Sequence, residues 1–515
     1  PPHWKTDAVL ERVGSVCFWV GSARTKAQTP PMKSLRPTRL GLVLAWTTVS
    51  VVVAAQTDDT PTAHALVAAQ QTLADPNWKA VADAVAAKHG NRVLSFTNSV
   101  FETLPALRAH FPRYVCFVAP PETVTRQFVT DVHRLARRVD DDPYTDFFWG
   151  ILTGYDAANA LRIARQHEPL IIRRVASGTE LPMDMVDEGV WYCELNKNRM
   201  VRKEPGKTAV ELEGPDDTTE ALVKSLCEYQ ADLFVTSGHA TERDWQIGFR
   251  YRNGFFKHAD GVLVGQDTRG NTFPIRSPNS KVYLPVGNCL MGHIDQRDCM
   301  ATAWMNSAGV CQMLGYIQPT WYGYMGWGVL DYFVEQPGRY TLTEAFFANH
   351  HALVHRLVTF FPELAGADAD AAGRTSVPIK VNEKAKAAGL TQNDARGLVF
   401  DRDFVAFYGD PGWAARMADR PKAFDQRISM QDGTYVFEVM PRRGPDSFDA
   451  VNRNGSQRGG RPFVAYLPHR IRNAQVIEGA DLEPVITDDF ILVPNPRVCD
   501  PAKTYRVVFR AERIP

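Results

Sequence analysis

Residues 281–295 read KVYLPVGNCLMGHID, and residues 231–241 read ADLFVTSGHAT. Each is a short apolar run of strand length that breaks at a glycine and then presents a polar side chain able to do chemistry. Cys289 follows the first break and His239 stands at the second. Apolar runs of this length, bounded by turn residues and separated by helix-like segments, are the mark of strands buried in an α/β sheet. Ligands in such sheets gather where the chain leaves the carboxyl ends of strands.

The same alternation extends outward in both directions. DPNWKAVADAVAAKHGNRVLSF (75–96) spaces Trp78, Val81 and Val85 for a helix, stops it at Gly90 and continues into a strand. PRYVCFVAPP (112–121) is a second apolar strand, and TVTRQFVTDVHRLARRV (123–139) returns to helical spacing. The acidic turn DDDPYTDF (140–147) leads into a strand ending near Leu152, a turn at Gly154 and a helix from about Asp156. Farther on, Thr218 or Thr219 caps a helix over EALVKSLCEYQ. Residues 299–317 read as helix then strand, and TLTEAFFANHHALVHRLV (341–358) as a helix. The expected fold class is α/β, a mostly parallel sheet flanked by helices.

From about Phe424 the texture changes. GTYVFEVMPRRG, RPFVAYLPHRI, DDFILVPN and KTYRVVFRAE are short alternating strands separated by Gly, Pro and Asn turns, which predicts a small all-β sandwich over 424–515. The preceding α/β domain is expected over 56–423, in two sub-domains of about 75–205 and 206–423.

The first stretch reads as processing. Met32 opens a segment with Lys33, Arg36 and Arg39 ahead of an apolar run from Leu40 to Val53. Val53-Ala54-Ala55 then supplies a small-residue cleavage site before Gln56. That is the three-part pattern of a signal peptide over 32–55, with an apolar core too short for the roughly 20 residues of a membrane span. Residues 1–31 are then expected to be an upstream extension from a gene start placed too early. The product is expected to be secreted, periplasmic or on the cell surface, with no integral span once the signal is removed.

Bulk composition excludes other classes. With 58 Lys+Arg against 58 Asp+Glu there is no basic field for nucleic acid. Eight cysteines in 515 residues exclude a dense disulfide scaffold. The seven beyond the leader are an odd number, which leaves a free thiol to account for.

Cys289 and His239 define the candidate chemistry. Sulfur attacks as thiolate, so it needs a proton acceptor and a cationic neighbour, and an imidazole supplies both before protonating a leaving amine. A second grouping is open on spacing alone: Cys289, His293 and Asp295, with Cys299 nearby, as a metal clip serving a hydrolase. Glu194, after the apolar GVWYC, is the candidate for orienting His239. Trp321, Tyr322 and Trp327 are candidate walls of a substrate pocket, with Tyr324 among them. No cofactor is required, and Asp140–Asp142 with Asp146 are the candidate holders of a structural calcium.

SGHAT, then GNCLMGHID, then CMATAWMNSAGVCQMLGYIQPTWYG resembles the core of the gingipain-like branch of clan CD cysteine peptidases. Upstream, PRYVCFVAP, DDDPYTDF and GILTGYDAANALRIAR resemble that family's first strands and helix, and DFVAFYGDPGWAARM its late strand and turn. The resemblance spans roughly 75–515 and is concentrated in 230–330. It implies the caspase–haemoglobinase fold, an Ig-like C-terminal module, and cleavage of protein or peptide substrates through a thioester acyl-enzyme on Cys289. It also implies an oxyanion hole from the backbone N–H groups of Ala240 and Cys289. The family usually has glycine directly after the histidine, whereas here Gly238 precedes it and Ala240 follows. A catalytically weak or inactive binding or adhesion protein on the same fold is the alternative.

Overall fold

The computed structural model describes residues 64–90, 92–370, 374–451 and 460–514. All of them lie in the compact unit Asp58–Pro515, so the expected upstream extension and signal peptide fall outside the described residues. No helix among the described residues is long and apolar enough to cross a membrane.

A twelve-stranded, mostly parallel sheet organises the unit. In chain order its strands are β1 (His64–Ala69), β2 (Arg92–Phe96), β3 (Tyr114–Val118), β4 (Phe148–Leu152), β5 (Arg174–Ser177) and β6 (Glu188–Tyr192). They continue as β7 (Arg199–Lys203), β8 (Val210–Glu213), β9 (Leu233–Thr236), β10 (Lys281–Pro285), β11 (Val310–Tyr316) and β12 (Val405–Tyr408). The spatial order is β2-β1-β3-β4-β12-β11-β10-β9-β5-β6-β7-β8. β2, β1, β3 and β4 are mutually parallel, as are β11, β10, β9, β5 and β6. β12 runs antiparallel to β11, and β7 and β8 close the far edge as antiparallel ribbons.

The central strands are buried along their whole length, which is why they read as unbroken apolar runs. Helices cover the faces and start where short polar side chains cap them. Asp75 caps Pro76–His89 and Gly90 ends it at φ 66°. Thr125 caps Arg126–Leu135, and Thr341 forms a capping box with Glu344 on Leu342–Phe360. At Thr219–Cys227 neither expected threonine caps. Instead the Asp217 carboxylate accepts the Thr219 N–H at 3.0 Å and the Thr268 N–H at 2.7 Å, tying that helix start to a distant loop.

A second, antiparallel sheet of four strands (Asp244–Gln246, Phe255–Ala259, Val262–Gln266 and Thr272–Ile275) fills the connection between β9 and β10. Its strands are only three to five residues long, too short for the sequence to show a clear alternation. The chain from Phe424 forms two antiparallel sheets, of four and three strands, around a shared core that includes Phe437, Phe463, Ile491 and Phe509. They do not hang free. Val464, Phe490 and Leu492 belong to the main core, and the Tyr332 and Tyr340 hydroxyls donate to the Pro462 and Val464 carbonyls.

The seven described cysteines are all free thiols. The odd count therefore leaves not one unpaired sulfur but seven, six of them in the core or packed beside it and Cys289 at the sheet rim.

Candidate functional site

β9 and β10 are parallel neighbours in register from Leu233 opposite Val282 to Thr236 opposite Pro285. Past these ends the two chains turn side by side. Gly238 takes φ +97°, a conformation glycine adopts without penalty, and delivers His239 to the surface. Gly287 lies so close to the first turn that a Cβ there would stand 2.6 Å from Ser237 Oγ. The two turns thus pack closely at Gly287, one turn carrying His239 and the other Cys289.

Asn288 stitches the turns together. Fully buried, it accepts the Thr236 hydroxyl at 2.6 Å through Oδ1 and donates Nδ2–H to the Gly238 carbonyl at 3.0 Å. Thr236 Oγ1 also lies 2.9 Å from the Tyr283 hydroxyl, so the link is anchored in both strands. On the other side of Cys289 the chain from β11 arrives. The Thr320 hydroxyl donates to the Asn288 carbonyl at 2.9 Å, and the Thr320 backbone N–H donates to Cys289 Sγ at 3.2 Å. That N–H fixes where the sulfur sits beside the Thr320 turn.

The loop bearing Cys289 is fixed beneath. Gly292 N–H donates to the Tyr316 carbonyl at 2.9 Å, and a Cβ at Gly292 would meet Gly315 O at 2.2 Å. Arg126, opening the helix after β3, donates Nε–H to the Ile317 carbonyl at 2.9 Å and meets His293 Nδ1 at 3.2 Å. Arg126 therefore ties the start of its helix to the chain leaving β11 and to the loop that bears Cys289.

The His239 ring packs on Phe249, tilted by 31° with ring centroids 4.7 Å apart, and its carbonyl accepts the Gln246 N–H at 2.9 Å. Glu194, just beyond β6, stands on the same rim. Its Oε1 accepts the Thr179 hydroxyl at 2.9 Å, and its backbone carbonyl accepts the N–H groups of Phe249 (2.7 Å) and Arg250 (3.2 Å). Burial pushes the Glu194 carboxyl up to about 7, while Thr179 and Ser237 oppose the shift. Its route to His239 runs through Phe249, whose ring faces the imidazole. Ala240 is buried and is not among the residues of positive φ, since the left-handed turn falls at Gly238 instead. An alanine after the histidine therefore carries no backbone strain.

The three aromatic candidates part company. Trp327 Nε1 would lie 3.2 Å from a Cβ on Gly287, which puts the indole beside the cysteine turn. Tyr322 instead packs on Phe400 and Tyr324 and over Gly397. Trp321 is 62% exposed. Behind them buried Asp401 accepts the Tyr316 hydroxyl and the Met325 N–H, each at 2.8 Å, holding the start of the helix that carries Trp327.

The metal clip on Cys289, His293 and Asp295 does not form. Burial, and then the facing Arg126 guanidinium, lower the His293 pKa, and Asp295 pairs with Arg243. Cys299 is buried against Thr302. Adjacent fixed cations oppose a bound cation, so the grouping has the wrong electrostatics.

Among the described residues, the acidic group that brings ligand atoms together is Asp140, Asp142 and Asp146, whose carboxylate oxygens lie within 4.8 Å of one another. Burial and mutual repulsion push Asp142 up to about 7 and Asp146 up to about 10. The set is all oxygen, as a hard cation requires, with the Arg470 guanidinium donating to the Asp146 carbonyl beside it.

No family model matches the chain, and no curated protein matches it. A solved structure described as "Structure of Protease" aligns with 88% of this chain and 96% of that one, at 10% identity and a TM-score of 0.36. A likeness that weak carries no argument about this chain.

Proposed function

We propose that the protein is a secreted cysteine endopeptidase of the gingipain-like kind, with Cys289 as nucleophile and His239 as general base and acid. The observation that carries this reading is the pair of turns after β9 and β10. They present an imidazole and a thiol from adjacent parallel strands, bridged by Asn288, with the Thr320 N–H on the sulfur. In the first step the thiolate attacks the scissile carbonyl carbon. The developing oxyanion is held by the backbone N–H groups of Ala240 and Cys289. His239 then protonates the leaving amine, a thioester forms, and water activated by His239 releases the acid. Trp327 borders the substrate crevice, and Glu194 steadies His239 through Phe249. The antiparallel sheets after Phe424 act as an Ig-like module fused to the peptidase, and a calcium ion at Asp140, Asp142 and Asp146 ties down the 139–147 turn.

The test is hydrolysis of a mixed fluorogenic peptide library by the mature chain. Activity lost in Cys289→Ala and in His239→Ala supports the reading. Activity that survives Cys289→Ala contradicts it.

A further inference from the structure

We infer that Asn288 is a positioning residue, the part that keeps the histidine turn and the cysteine turn in catalytic register; the inference rests on the Cys289–His239 reading. A hydrogen-bonded circuit runs through it. His239 is joined by one peptide bond to Gly238, whose carbonyl accepts from Asn288 Nδ2. Asn288 is joined by one peptide bond to Cys289, whose sulfur accepts from Thr320 N–H, and the Thr320 hydroxyl returns to the Asn288 carbonyl. Oδ1 anchors the circuit to β9 through Thr236.

Packing alone does not require this residue. A fully buried amide costs free energy unless it is bonded, and here both ends of the amide are used on partners from the opposite turn and strand. Other contacts hold the two strands parallel regardless of position 288, because the β9–β10 ladder is complete without it. What Asn288 adds is the fixed relation of the two turns beyond the ladder, where flexible glycines at 238 and 287 would otherwise let them drift. Drift of about 1 Å between nucleophile and base suffices to cost a hundredfold in rate.

A pH profile separates positioning from mere support. Alkylation of Cys289 by iodoacetamide, located by peptide mapping, is followed from pH 5 to 10 in the full mature chain. The wild type is expected to be alkylated at pH 6–7 in a way that depends on His239. Asn288→Ala is expected to slow alkylation at pH 6.5 tenfold or more and to converge with the wild type above pH 9.5, where the thiol ionises unaided. In peptide hydrolysis kcat should fall by a similar factor with KM within threefold. Asn288→Asp, which keeps the shape and the Thr236 bond but sets an acceptor against the Gly238 carbonyl, should move the profile the same way. It serves if the alanine variant fails to fold. A profile in a folded variant that superimposes on the wild type, while His239→Ala shifts it, overturns this inference alone. A profile that His239→Ala leaves unchanged overturns the dyad and this inference with it.

Discussion

Asn288 donates its side-chain N–H to the carbonyl of Gly238 at 3.0 Å, so the residues immediately before Cys289 and His239 share one hydrogen bond. Neither side chain needs to find the other through a long lever. Each sits one peptide unit from a common fixed point at the end of two paired strands.

The floor of this arrangement is a backbone-to-backbone contact that admits no side chain. A Cβ on Gly292 would stand 2.2 Å from the carbonyl oxygen of Gly315, and backbone on both sides leaves nothing to swing away. Gly292→Ala should therefore destabilise the fold by about 3 kcal/mol, the upper part of the overpacking range. Urea denaturation of the variant against the wild type measures it, and a midpoint unchanged within error contradicts the contact.

Acid should loosen the joint between the α/β unit and the C-terminal sheets. His351 is buried with both ring nitrogens unpartnered among the described residues. It stacks on Phe490 at 4.3 Å and faces Tyr144, Tyr466 and His350. Burial lowers its pKa to about 3, so the folded state refuses a proton that the unfolded chain takes near 6.5. Stability is full above pH 6.5 and falls as pH drops, by about 2 kcal/mol at pH 5 from this residue. His351→Phe is expected to flatten that slope in melts between pH 7 and 5. An identical slope would contradict it.

The acidic turn acts in the opposite direction. Asp142 and Asp146 are pushed up, to about 7 and about 10, so the folded state keeps protons that the unfolded chain releases near 3.8. Their contribution is full at low pH and is lost as pH rises through neutrality. Millimolar calcium should raise the melting temperature of the wild type at pH 8, and chelator should remove the gain. Asp142→Asn/Asp146→Asn should melt higher than the calcium-free wild type and ignore calcium. A wild type indifferent to calcium at pH 8 contradicts the cation reading.

Much of the α/β framework was legible because its central strands are buried on both faces and read as plain apolar runs, as in 233–236 and 281–285. Cys289 and His239 stood out for the same reason, each a reactive group just past such a run. The roles of Asn288 and Thr320 were not legible, since their partners lie 50 and 31–32 residues away in sequence and nothing local marks the pairing. Tyr322 and Trp327 looked alike as aromatic neighbours, and only the helix turn and Gly397 decide that one packs inward while the other stands beside Gly287. The docking of the C-terminal sheets was equally hidden: Phe463–Tyr466 and Phe490–Val493 are buried on both faces and read as plain apolar runs, which do not say what covers the second face.

The most direct measurement is labelling of the mature protein with a peptide bearing a thiol-directed electrophile, followed by mapping of the modified residue. The account predicts a single label on Cys289 that vanishes in His239→Ala, while the other six described cysteines, in the core or packed beside it, stay unmodified. A folded wild-type sample that takes no label at Cys289, or labels equally well without His239, contradicts it.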